Sequence, residues 1–184
     1  GTSLSFDVTV TNTGSVAGKD VVEVYYNPPY TNGGMEKASA NLIAFEKTGL
    51  LEPGASETIT VTFDKEEMAS YDMSGTGCYV LEKGDYVISI NSDSHNILDS
   101  KTYTQNSDIR YDADNKRDSD AAAAVNQFGD AAGDITYLSR ADGFANLTEA
   151  TAAPSDTNMA EKYVEGYHLN ANYDYTTDLD PSDE

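Results

Sequence analysis

The sequence predicts an all-β fold: an immunoglobulin-like β-sandwich over residues 1–104, followed by an irregular acidic extension over residues 105–184. Three observations predict it. Apolar residues alternate with polar ones in several short runs of the first 110 residues. Turn-forming Asn, Gly and Pro punctuate those runs. After about residue 110 no period of 2 or 3.6 is sustained, and charge rises: residues 111–184 carry 16 acidic and 4 basic side chains.

Each element has its own cause. Leu4, Phe6, Val8 and Val10 alternate with Ser5, Asp7, Thr9 and Thr11, the pattern of a half-buried strand. Residues 12–15, Asn-Thr-Gly-Ser, are a turn. Residues 21–26 form a second strand, ended by Asn27-Pro28-Pro29, and residues 42–45 a third. Pro53-Gly54 marks another turn before Ile59, Val61 and Phe63, which alternate with threonines. Val61 and Phe63 are thus expected in the core, and Thr60 outside it. Asp64 and Glu67 have capping-box spacing and predict a helical turn. Residues 79–81 and 86–90 flank Lys83-Gly84 and predict a hairpin; residues 101–104 supply a last strand. About seven short strands in roughly 100 residues suit two packed sheets, of immunoglobulin or fibronectin type III kind.

The extension reads differently. Residues 121–124, all Ala, are a candidate short helix capped by Ser119 or Asp120. Eight aromatics follow residue 110, too many for an inert linker, and they predict docking on a surface. Residues 128–144 are expected against the sandwich through Ile135, Tyr137 and Leu138, and residues from about Asn170 are expected to be loosest.

Composition excludes several functions. With 11 Lys and Arg against 32 Asp and Glu, net charge is -21, so neither nucleic acid nor an anionic membrane is an expected partner. The longest apolar run, residues 121–125, is far too short to span a bilayer. No basic stretch followed by an apolar one opens the chain, which predicts no signal peptide; the opening Gly1-Thr2 suggests a fragment or a processed product. One Cys and two His predict no disulfide, no metal site and no cofactor.

Candidate chemical groups each meet an objection. Asp112, Asp114, Asp118 and Asp120 suggest a calcium loop, but Lys116, Arg117 and Ala123 stand where an EF-hand needs an oxygen ligand, Gly and Glu. Asp7 and Glu23 sit on the polar side of strands rather than across a sugar pocket. His95 lies in a polar loop with no orienting acid marked, which favours a packing role, and Cys78 reads as a buried thiol. Asn146-Leu147-Thr148 is a glycosylation sequon, relevant only in a eukaryotic secretory setting. No catalytic, cofactor-binding or metal-binding residue is therefore assigned.

The string VTVTNTGSVAGKDVVEVYY resembles the opening of the fibronectin type III-like domain of glycoside hydrolase family 3 enzymes, which include β-glucosidases. NLIAFEKTGLLEPGASETITVTF, EEMASYD and YVLEKGDYVISINSDSH continue the likeness in order, the last as a hairpin, over about residues 4–104. One departure is Cys78-Tyr79 where relatives often carry Trp. FGDAAGDITYLSRADGFAN resembles the connector of a branch with rearranged domain order, in which an α/β sandwich domain precedes this domain and a barrel follows it. The resemblance implies a structural accessory domain. It places the nucleophilic Asp on the barrel and the acid/base carboxylate on the α/β sandwich domain, so no catalytic residue is carried over. The partners it implies are those two domains of the same polypeptide.

Two other readings are distinct in class. A carbohydrate-binding module would need Tyr25, Tyr26 and Tyr30 as its stacking surface, since the chain has no Trp. A bacterial surface domain would predict tandem copies, and no internal repeat is present.

Overall fold

Strand β1, Ser3–Thr11, lies antiparallel to β4, Ser56–Asp64, in unbroken register, because both alternate strictly. Their outer face is a ladder of hydroxyls. Ser5 pairs with Thr62 at 2.9 Å, Thr9 with Thr58 at 3.0 Å, and Thr11 with Ser56 at 2.7 Å. Their inner face turns Val61 and Phe63 into the core, while Thr60 is exposed and donates to Asp7, as the alternation predicts. The computed structural model describes residues 2–131 and 133–153.

The second sheet has four antiparallel strands in the order β3-β2-β7-β8: β2 is Val21–Asn27, β3 Asn41–Lys47, β7 Gly84–Asn91 and β8 Ile97–Gln105. Val22, Val24 and Tyr26 of β2 face inward with Tyr86 and Ile88 of β7. A third, small sheet, β5-β6-β9, closes one end: Ser70–Tyr71, Tyr79–Leu81 and Ile109–Tyr111. Met68, Leu81 and Tyr111 complete a single core with the other two sheets. Burying such side chains is the main stabilising term, about 1.5–3 kcal/mol for each large apolar group.

The expected strands are present, with corrections. Residues 79–81 and 86–90 do not form a hairpin. β6 pairs with β5 and β9, whereas β7 pairs with β2 and β8, so the chain changes sheets at residues 82–84. Gly84 permits the crossing: its φ is 141°, and a Cβ there would lie 2.8 Å from Cβ of Pro29. The hairpin in this region is β7–β8 instead, its turn held by Asp93, which accepts from the backbone N–H of His95 and Asn96.

Residues 65–68 do form a 3-10 turn, but Asp64 does not cap it. Its carboxylate accepts from the hydroxyl of Ser3 across the sheet, 2.5 Å away. Strand pairing also continues past residue 104, since Tyr111 of β9 lies opposite Tyr79. The two short strands β5 and β9 raise the number to nine among the described residues; segments of two and three residues are too brief to show a period.

The chain divides into two compact units, Gly1–Asn146 and Leu147–Glu184. The second is described over residues 147–153 and holds a four-residue helix, α1, Leu147–Ala150. The expectation for residues beyond Asn170 lies outside the described residues.

Candidate functional site

From Tyr111 the chain leaves the small sheet and runs as a connector over residues 112–146. None of its described residues is buried. The four alanines at 121–124 form no helix. A four-residue run does not recover the cost of helix nucleation, and Asp120 is occupied elsewhere.

Two glutamates of the sandwich hold this connector. In the 3-10 turn, the Glu66 carboxylate accepts from the backbone N–H of Asp118 at 2.9 Å and of Ser119 at 3.1 Å. Beside it the Arg117 guanidinium lies 3.8 Å from the centre of the Tyr79 ring and makes two bonds to Asp120. Those bonds lower the Asp120 pKa and raise that of Arg117. Farther on, the Tyr71 hydroxyl accepts from the N–H of Asn126 at 2.7 Å and donates to the carbonyl of Gly77.

The second glutamate is in the β2–β3 loop. Glu36 accepts from the hydroxyl of Ser139 at 2.8 Å and the N–H of Arg140 at 3.0 Å. The Arg140 N–H, with Ser139 second, holds the Glu36 carboxyl below its ordinary value. Arg140 also lies 4.0 Å above the Tyr30 ring and donates to the carbonyl of Lys37. Lys37, itself buried, pairs with Glu82 and donates to the carbonyl of Pro29.

The connector therefore does lie on the sandwich, but not through the expected side chains. Phe128 is 78% exposed, Ile135 64% and Tyr137 58%; Leu138 and Phe144 are also exposed. Main-chain N–H groups, the Ser139 hydroxyl and the Arg117 and Arg140 side chains make the contact, whereas Phe128, Ile135 and Tyr137 face outward. The sequence signals that would have located it are Glu36, Glu66, Arg117 and Arg140; the two glutamates do not stand out among 32 acidic residues, and no local spacing links them to the two arginines.

The remaining candidates are dispersed. Asp112 accepts from the N–H of Asp114 and Asn115 in a local turn, and Asp120 is taken by Arg117. Among the described residues, no three His, Cys, Asp or Glu side chains come together as metal ligands. Asp7 bonds Thr60 on the outer face of one sheet. Glu23 accepts from the Tyr25 hydroxyl on the other. His95 is exposed at the hairpin tip rather than packed. Cys78 is buried, its thiol 3.2 Å from the Thr76 hydroxyl. Asn146 donates to the carbonyl of Thr136.

The three tyrosines of a sugar-binding reading are not a shared surface. Tyr26 is in the core, where burial raises its pKa; Tyr30 lies under Arg140; Tyr25 is half-buried, its hydroxyl tied to Glu23. A cleft of about 360 Å³ opens between β1 and β8, floored by Leu4, Phe6, Ile90 and Tyr103. A glycosidase needs two carboxyls facing each other across a sugar pocket. Only Asp7 and Asp99 line this one, and Asp7 is engaged with Thr60.

The family model for the fibronectin type III-like domain matches residues 20–94, from just before β2 to the β7–β8 turn. The chain carries a fibronectin type III-like domain. Over 82 residues it is 44% identical to beta-glucosidase A of Butyrivibrio fibrisolvens, a match that covers 43% of this chain and 10% of that protein. Over 102 residues it is 39% identical to a beta-glucosidase of Ruminococcus albus, covering 53% of this chain and 11% of the relative. Among solved structures it is similar to beta-glucosidase 3B from Thermotoga neapolitana, seen in complex with alpha-D-glucose. There the TM-score is 0.54 and identity 32%, over 60% of this chain and 15% of that one. The chain thus spans about a tenth of the length of these two curated relatives. The matched residues hold the buried core apart from Tyr111, whereas β1, β8, β9 and the connector lie outside the residues that the family model matches.

Proposed function

We propose that this chain is a non-catalytic accessory part of a larger β-glucosidase-type glycoside hydrolase of family 3, and that it supports the packing of the catalytic domains. One observation carries the reading: the β-glucosidases similar to this chain share with it only a tenth or so of their own length. Their remaining chain has room for both catalytic domains. In this proposal the nucleophile and the acid/base carboxylate belong to a barrel and an α/β sandwich domain elsewhere in the polypeptide. The connector leads toward the barrel.

The exposed side chains favour that role. Phe128, Ile135 and Tyr137 stand out from a backbone already fixed to the sandwich, a surface suited to an apolar neighbour. Leu42 and Phe45 are likewise exposed on the outer face of the four-stranded sheet. Support of this kind has a large effect on rate, because misplacing a catalytic group by about 1 Å costs on the order of 100-fold.

Two measurements test the proposal. The isolated chain is expected to leave an aryl β-glucoside intact at high protein concentration; turnover that copurifies with it would overturn the reading. The polypeptide encoded by the surrounding reading frame is expected to lose activity when residues 1–146 are deleted. Full kcat and unchanged thermal stability after deletion would show that the domain supports nothing.

A further inference from the structure

We infer that Glu66 and Glu36 are two separately opening clasps of one design, which set the course of the connector across the sandwich. Each joins the same three parts. A sandwich carboxylate accepts from two consecutive connector residues: Asp118 and Ser119 at Glu66, Ser139 and Arg140 at Glu36. An arginine within or next to that pair stacks on a sandwich tyrosine: Arg117 on Tyr79, and Arg140 on Tyr30. A third bond braces the arginine, to Asp120 in one case and to the carbonyl of Lys37 in the other.

The design suits a chain of net charge -21. Backbone N–H groups stabilise a carboxylate without needing one of the few basic side chains, and the charge on the acceptor makes each bond stronger than a neutral one. The two arginines are placed on ring faces, where the cation is attracted without a carboxylate partner from the sandwich.

The clasps sit at the two ends of residues 119–139 and so close a loop. Tyr71 holds Asn126 within it. With both ends fixed, the apolar side chains between them are presented outward rather than left to collapse onto the sheet. Opening the Glu36 clasp alone frees the exit of the chain beyond Asn126 while Glu66 keeps the entry in place. The clasps are defined by contacts within residues 1–146 and do not depend on what the larger polypeptide does.

Hydrogen exchange on the intact chain, read by mass spectrometry, tests this. In Glu36→Ala, exchange at Arg140 is expected to quicken roughly 10-fold or more, with Asp118 and Ser119 unchanged. Glu66→Ala is expected to do the converse. Glu36→Gln, which keeps an acceptor but loses the charge, is expected to fall between. Melting of the sandwich serves as the control and is expected to stay the same in all three. Free-peptide exchange at Arg140 and Ser119 in the unsubstituted chain would overturn the inference. So would either alanine variant quickening both sites, which would make the connector one unit. Neither result bears on the accessory role, which fails only by the deletion and turnover measurements.

Discussion

The sandwich and the connector are both ordered on one another, yet by opposite means. In the sandwich, Val24 and Leu81 are fully buried and the three sheets share one apolar core. In the connector no described residue is buried, and its attachments are charged or polar groups at the surface. The first kind of order is cooperative and little affected by charge screening. The second is local, a set of separate contacts at the surface. In the proposed role, stability rests with the sandwich and positioning with the connector.

The largest separation between the two regions is expected from paired truncations. Leu81→Ala should cost about 2–5 kcal/mol, from lost burial plus the cavity left behind. Tyr137→Ala, which removes a larger but exposed side chain, should stay within about 0.5 kcal/mol. Urea denaturation measures both, and equal midpoints would mean that the connector belongs to the cooperative core.

A smaller effect is expected at the point where the chain changes sheets. Gly84→Ala forces a side chain into positive φ and against Pro29, and should cost about 1–3 kcal/mol. Gly133 is also at positive φ but lies in the connector, where a Cβ would meet nothing within 4 Å. Its alanine variant should leave the melting temperature of the sandwich where it is. If both variants shift that temperature equally, the connector bears on global stability after all.

The smallest effect concerns pH. Glu36 is held below its ordinary value by the Arg140 N–H, the Ser139 hydroxyl, the Tyr30 hydroxyl and the Arg140 charge. A depressed carboxyl contributes its stabilisation above the ordinary carboxylate range. That contribution is lost as pH falls through the depressed value. NMR titration should therefore show the Glu36 carboxyl and the Arg140 amide moving together, below the range of an exposed glutamate, while Leu81 signals stay still. An ordinary Glu36 midpoint would break the comparison on its polar side.

Most of the sandwich was legible from residues alone. Strict alternation in residues 3–11 and 56–64 set both the strands and the face that Val61 and Phe63 turn inward, because a strand's period of two allows only two assignments. The Asn12 and Pro53-Gly54 turns were legible for the same local reason, and the two are joined through the bonds of Asn12 with Gly54 and Ala55. The sheet change at Gly84 was not. Lys83-Gly84 between two apolar runs has the local grammar of a hairpin, and only the competing partners of β6 and β7 decide otherwise.

What the sequence determined by itself is an all-β sandwich followed by an acidic stretch with no sustained period of its own. Both conclusions follow from periodicity and composition, which are local properties. Only the tertiary structure decided that residues 112–146 are held by Glu66 and Glu36, and that Ile135 and Tyr137 are exposed. Burial would have favoured the reverse. The outcome turned on which carboxylates, N–H groups and ring faces meet across 52 to 104 residues of chain, and no local pattern records such a meeting.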